Sequence, residues 1–214
     1  MLSAAISVAI LIVAAVLHEI SHGLAAYKLG DNTARNLGRI TLNPIKHIDP
    51  FMTLILPAAL VFSGSPIIFG GAKPVPVNPF NFKNPRRDMA LVAAAGPISN
   101  FLLAAAAYFT VLLMGKFDLF DLLPEPVQLL TLGVILQWIM INIVLGIFNL
   151  FPVPPLDGGR IVTGLLPLKI ARPYASLERY GILIVFALLY LGVVDDYMRL
   201  VLSGVFNALQ GVLP

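Results

Sequence analysis

Residues 2–28 read LSAAISVAILIVAAVLHEISHGLAAYK, a hydrophobic run that ends at Lys28 and carries His18, Glu19, Ile20, Ser21 and His22 as an H-E-x-x-H pattern in its later half. Histidines four residues apart on an α-helix project only about 40° apart, so both rings reach one metal ion with the glutamate beside them. The apolar setting sharpens that reading. Ionisable side chains at membrane depth cost about 2.5 to 3.5 kcal/mol each even on the gentler insertion scale, so three of them in one stretch need a compensating partner. The simplest partner is a metal ion.

The rest of the chain has the same character. Of 214 residues 58% are hydrophobic and 12% charged, with a mean hydropathy of +0.90. Soluble domains carry about 25% charged residues, so the composition defines an integral membrane protein. The absence of cysteine leaves histidine and carboxylate as metal donors and excludes disulfides. A net charge of +3 reflects loop cations that set orientation; no basic run or interleaved aromatic stripe suggests nucleic-acid binding. The first segment lacks a basic leader, exceeds a signal-peptide core and carries His and Glu, so it is expected to be a resident helix. No stretch is long and polar enough for a separate soluble domain, and residues 1–214 are expected to form one membrane-embedded domain.

Further apolar runs occupy residues 51–70, 89–114, 127–151, 180–194 and 200–214. About four to six membrane helices are therefore expected in an all-α polytopic fold. The run at 51–70 contains Pro57 and the cluster Ser63-Gly64-Ser65-Pro66, which favours a re-entrant segment over a full span. Loop charge agrees. If that run dips and returns, Lys28, Arg35, Arg39, Lys46, Lys73, Lys83, Arg86, Arg87, Arg160, Lys169, Arg172 and Arg179 share one face, against Lys116 and Arg199. If it spans, the cations divide almost evenly. The positive-inside rule selects the first arrangement, with residues 28–88 and 152–179 cytoplasmic. Whether residues 200–214 cross again is open.

Between the first and third runs, residues 39–44 and 73–79, within the wider stretches 36–45 and 71–79, have β-branched residues broken by prolines, which fits short edge strands or extended segments. Such segments could accept an unwound substrate by strand addition, with Val75 and Val77 as contacts.

A catalytic zinc site takes three protein ligands and an open position. A third histidine at the metzincin spacing is absent, since that position is Lys28. The most conspicuous downstream carboxylate is Asp157, in the Pro- and Gly-rich stretch Asn149 to Arg160. The re-entrant arrangement delivers Asp157 to the same face as His18 and His22; five full spans would not.

These landmarks together resemble the site-2 protease family of intramembrane zinc metalloproteases: His18 to His22, Gly71 to Pro79, Ala95-Gly96-Pro97-Ile98-Ser99-Asn100, and Asn149 to Arg160 with its Leu-Asp-Gly-Gly core. The resemblance implies one zinc ion per chain held by His18, His22 and Asp157, with Glu19 as the catalytic carboxylate and general base. It implies a role near the site for Asn149, on the substrate backbone or the oxyanion. Membrane-anchored proteins would be the substrates, cut within or near a bilayer, in the plasma membrane of a prokaryote. Unlike longer members, the chain is expected to be a compact form without an inserted PDZ domain or a CBS pair.

Blander readings stand beside these. Gly96, Pro97 and Asn100 read as close packing or a kink, with Asn100 also a candidate substrate contact; His47 reads as an interfacial loop residue, and Asp195 and Asp196 as a solvated boundary. A metal-permeation protein would also bury such groups but should show internal symmetry, and a silent scaffold would not need an intact H-E-x-x-H. Substrate and oligomeric state are not legible.

Overall fold

The computed structural model describes residues 2–55, 62 and 71–210. Helix α1 spans Leu2–Lys28 and is built from Ala, Val, Leu and Ile without a breaker before Gly23. Its end is closed by Gly30 at φ +107°, where the Gly30 N–H bonds the Tyr27 carbonyl and the Asp31 N–H bonds that of Ala26. This paired closure needs a left-handed residue, which glycine supplies without a Cβ penalty.

A short helix, α2 (Thr33–Asn36), and a 3-10 turn at Pro44–His47 lead to a π-helical turn at Pro50–Ile55. Helix α3 (Pro85–Lys116) starts with proline in its first turn, and Asp88 reaches back to accept the Asn84 N–H at 3.0 Å. Next come α4 (Glu125–Asn149), α5 (Asp157–Leu165), α6 (Leu168–Ala175), α7 (Gly181–Tyr190) and α8 (Val193–Gln210). Helix α3 is the centre, packing against α1, α4 and α5.

Three helices are long and apolar enough to cross a membrane, Ala5–Lys28, Pro85–Lys116 and Glu125–Asn149; the pair Leu168–Tyr190 and Val193–Gly204, bent by 73°, makes four if it is one broken span. Among the described residues three such helices stand against the four to six expected, and the lower end of that range is reached only if the bent pair is one span. The expected re-entrant turn lies mostly at 56–61 and 63–70, outside them.

The contacts fix the parity. His18 meets Asn100 and His22 meets Val92, so α1 and α3 are antiparallel, while Ser7 lies against Gln137 and His18 against Asp157, so α1 and α4 run the same way. Residues that follow α1, precede α3 and follow α4 therefore share one face, as loop charge requires.

The expected β-strands are a correction: among the described residues there is none. Residues 71–78 are extended but pair with no strand. Pro74, Pro76 and Pro79 have no N–H to give a ladder. Other partners hold the segment: the Lys73 N–H bonds the His47 carbonyl at 2.8 Å, Glu19 accepts the Val75 N–H at 2.7 Å, Asp31 accepts the Asn78 N–H at 2.7 Å, and Arg39 donates to the carbonyls of Lys73 and Pro74 at 2.9 and 3.2 Å. Residues 36–45 end α2 and enter the Pro44–His47 turn, where the Asn43 side chain caps the Ile45 N–H.

Candidate metal centre

Three buried side chains from two elements converge. His18 and His22 project from one face of α1, and Asp157 from the first turn of α5. The His18 and His22 Nε2 atoms are 3.0 Å apart, and Asp157 Oδ2 lies 3.1 Å from the first and 3.2 Å from the second.

The placement of Asp157 depends on its glycines. A Cβ on Gly158 would fall 2.2 Å from the Leu150 carbonyl oxygen, and one on Gly159 would fall 2.3 Å from Pro154 N. Only backbone fits there, so the loop doubles back on the end of α4 and starts α5 beneath the histidines. Arg86 of α3 fastens the far end of α5 by donating to the carbonyls of Gly164 and Leu166.

Helix α3 forms the wall behind the rings. Val92, Gly96 and Asn100 lie four residues apart on one stripe: the Val92 carbonyl faces His22 Nδ1 at 2.7 Å, and Asn100 Oδ1 faces His18 Nδ1 at 2.6 Å. Between them, a Cβ on Gly96 would lie 2.5 Å from His22 Cε1 and Nε2 and 2.6 Å from His18 Cε1. The rings rest on bare backbone.

The donor chemistry fits a cation. A carbonyl only accepts, so His22 holds its proton on Nδ1, and its neutral Nε2 is a lone pair aimed at a carboxylate oxygen and a second imidazole nitrogen. Asp157, buried against both imidazoles, supplies a carboxylate oxygen as the third donor. Two imidazoles and a carboxylate are a zinc donor set with room for a fourth ligand. Among the described residues these three form the group able to hold a metal.

The other expected site residues divide. Glu19, half-buried beside the histidines, holds the Val75 N–H through Oε2. Val75 is buried and would touch a Cβ on Gly23, while Val77 packs with Ala26, Phe82 and Val92. Asn100 touches a histidine directly. Asn149 donates to the Leu145 carbonyl of its own helix at 2.9 Å. His47 is buried within the protein, with Nε2 3.0 Å from the Thr41 carbonyl.

Two contributors went unread in the sequence. Asp31 accepts hydrogen bonds from Thr33 N–H and Oγ1, Asn78 N–H and Asn81 Nδ2, and so pins the 71–79 segment to the end of α1. Its signal was an acidic residue directly after a helix-closing glycine. Asn142, buried in α4, bonds Asn100 at 2.9 Å.

A polytopic helical bundle that presents two histidines and a carboxylate to one point defines a membrane metallohydrolase. The chain belongs to peptidase family M50, whose model matches residues 5–132 and 124–192, and it is a zinc metallopeptidase of the site-2 type. It is 42% identical over 191 residues to "Putative zinc metalloprotease YwhC" of Bacillus subtilis (strain 168), covering 88% of this chain and 81% of that one. It is 30% identical over 173 residues to "Putative zinc metalloprotease Rip2" of Mycolicibacterium smegmatis, and 28% identical over 172 residues to the protein of the same name in Mycobacterium tuberculosis (strain H37Rv). The matches cover 62% and 61% of those two longer relatives. No solved structure matches.

Proposed function

We propose that this chain hydrolyses peptide bonds of membrane-anchored proteins within or near the bilayer, with His18, His22 and Asp157 as the ligands of one zinc ion and Glu19 as general base. The observation that carries the reading is the meeting of two Nε2 atoms and a carboxylate oxygen within 3.2 Å, inside a bundle of membrane-length helices.

Bound zinc supplies Lewis acidity and lowers the pKa of a coordinated water to about 7. Glu19 accepts the attacking water's proton and returns it to the departing amine. Its Oε2 is held by the Val75 N–H, which orients the carboxylate and leaves Oε1 for that transfer. Asn149 gives its amide N–H to Leu145 in this structure; a role on the oxyanion needs that side chain to turn away from its own helix. The cation-rich face at the ends of α1 and α4 favours a cytoplasmic orientation of the site in a prokaryotic plasma membrane.

The test is cleavage of a single-span reporter co-reconstituted with the purified chain. Glu19→Gln should keep one zinc per chain and lose cleavage, whereas Asp157→Ala should lose zinc. Undiminished proteolysis by Glu19→Gln would overturn the mechanism.

A further inference from the structure

Polar groups continue from His18 past Asn100 into the bundle. Asn100 on α3 and Asn142 on α4 are both fully buried. Asn142 Nδ2 donates to the Trp138 carbonyl at 2.9 Å, Asn142 Oδ1 accepts from Asn100 Nδ2 at 2.9 Å, and Asn100 Oδ1 meets His18 Nδ1 at 2.6 Å.

The direction of this chain is set at its far end. A main-chain carbonyl accepts and never donates, so Asn142 turns its NH2 to Trp138 and its oxygen to Asn100. Asn100 must then give its NH2 to Asn142 and its oxygen to His18. Only a donor suits that oxygen, so His18 carries its proton on Nδ1 and leaves a lone pair on Nε2, the atom 3.1 Å from Asp157. Reversing the chain sets two oxygens against each other at Trp138, a cost of about 1 to 3 kcal/mol in a buried site.

The two histidines are thus fixed by different means. His22 faces the Val92 carbonyl, which cannot flip. His18 faces a side-chain amide, which can, and a flipped Asn100 would draw the proton to Nε2 and close that atom to a metal.

We propose that Asn142, acting through Asn100, is a positioning residue that selects the metal-binding tautomer of His18. The proposal rests on the reading of His18 as a zinc ligand.

The test uses the full chain in detergent with Asn142→Leu and Asn142→Asp. Because the sequence has three histidines, nitrogen NMR of histidine-labelled, metal-free protein at about pH 9 reports each neutral ring separately. The wild-type chain should show His18 protonated on Nδ1. Asn142→Leu should shift His18 toward the Nε2-protonated form, leave His22 unchanged, and weaken zinc affinity about 10- to 100-fold in chelator competition. Asn142→Asp should restore both, because a carboxyl oxygen accepts from Asn100 Nδ2 in either ionisation state and so keeps the Asn100 oxygen toward His18. The proposal is overturned by a wild-type His18 protonated on Nε2, by wild-type tautomer and affinity in Asn142→Leu, or by Asn142→Asp behaving as the leucine variant. Failure of the wild-type chain to bind zinc would instead overturn the reading of the site, and the tautomer measurement keeps the two apart.

Discussion

Gly96→Ala places one methyl group against the proposed ligands. The added carbon would sit 2.5 Å from two atoms of His22 and 2.6 Å from one of His18. Carbon contacts settle at about 3.5 to 4.0 Å, so the rings or the helix must yield by about 1 Å. Neither yields freely. Both rings are tied to α3, at 2.7 Å to the Val92 carbonyl and at 2.6 Å to Asn100, so withdrawing α3 stretches both ties. Tilting the rings instead opens a ligand triangle whose sides are 3.0, 3.1 and 3.2 Å. Overpacking of this kind costs about 1 to 3 kcal/mol. If the cost falls on the metal-bound geometry, zinc affinity drops about 5- to 150-fold. Chelator competition measures it, with circular dichroism to verify folding. Gly115→Ala, on the same helix where a Cβ meets nothing within 4 Å, is the control and should bind zinc as the parent does. Wild-type affinity in Gly96→Ala would refute the reasoning.

Two further perturbations probe the polar scaffold. Val75→Pro deletes the N–H that holds Glu19 while keeping the proline-rich extended backbone; zinc should stay and reporter cleavage should fall about 10- to 100-fold, the worth of one hydrogen bond to a charged group. Equal turnover would remove any role for that contact. Burial alone would raise the Asp31 carboxyl, but hydrogen bonds from Thr33, Asn78 and Asn81 hold it below its ordinary value of 3.8. A depressed folded-state value stabilises above the unfolded one and is lost as pH falls through the folded one. Thermal unfolding of the wild-type chain and Asp31→Ala should therefore differ by about 1.5 to 3 kcal/mol near neutrality, a gap that begins to close only below about pH 4 and narrows further as pH falls through the depressed folded-state value; a gap unchanged into strong acid would contradict the assignment.

His18, Glu19 and His22 were legible because helical periodicity alone puts them on one face. Asp157 was legible through loop charge, which fixes the face on which α4 ends. The Asn142 link was not, since it depends on the register of α4 against α3, and no pattern within either helix encodes that register. Val75 was read as a substrate contact through strand addition, yet its backbone N–H is taken by Glu19, a partner that no local sequence pattern points to. The strand reading of 71–79 failed because the prolines that suggested an edge strand also removed donors a ladder needs, and Glu19, Asp31, Arg39 and the His47 carbonyl hold the segment instead. Asp31, unread in the sequence, is the clasp between that segment and α1.

Zinc-edge X-ray absorption on the purified chain tests the central claim most directly. The account predicts a shell of nitrogen and oxygen at about 2.0 to 2.2 Å that contains two imidazoles. His22→Ala should reduce the imidazole count, and Asp157→Ala should lose the metal. A three-imidazole shell, which would have to recruit His47, or a zinc shell and content untouched by Asp157→Ala, would contradict it.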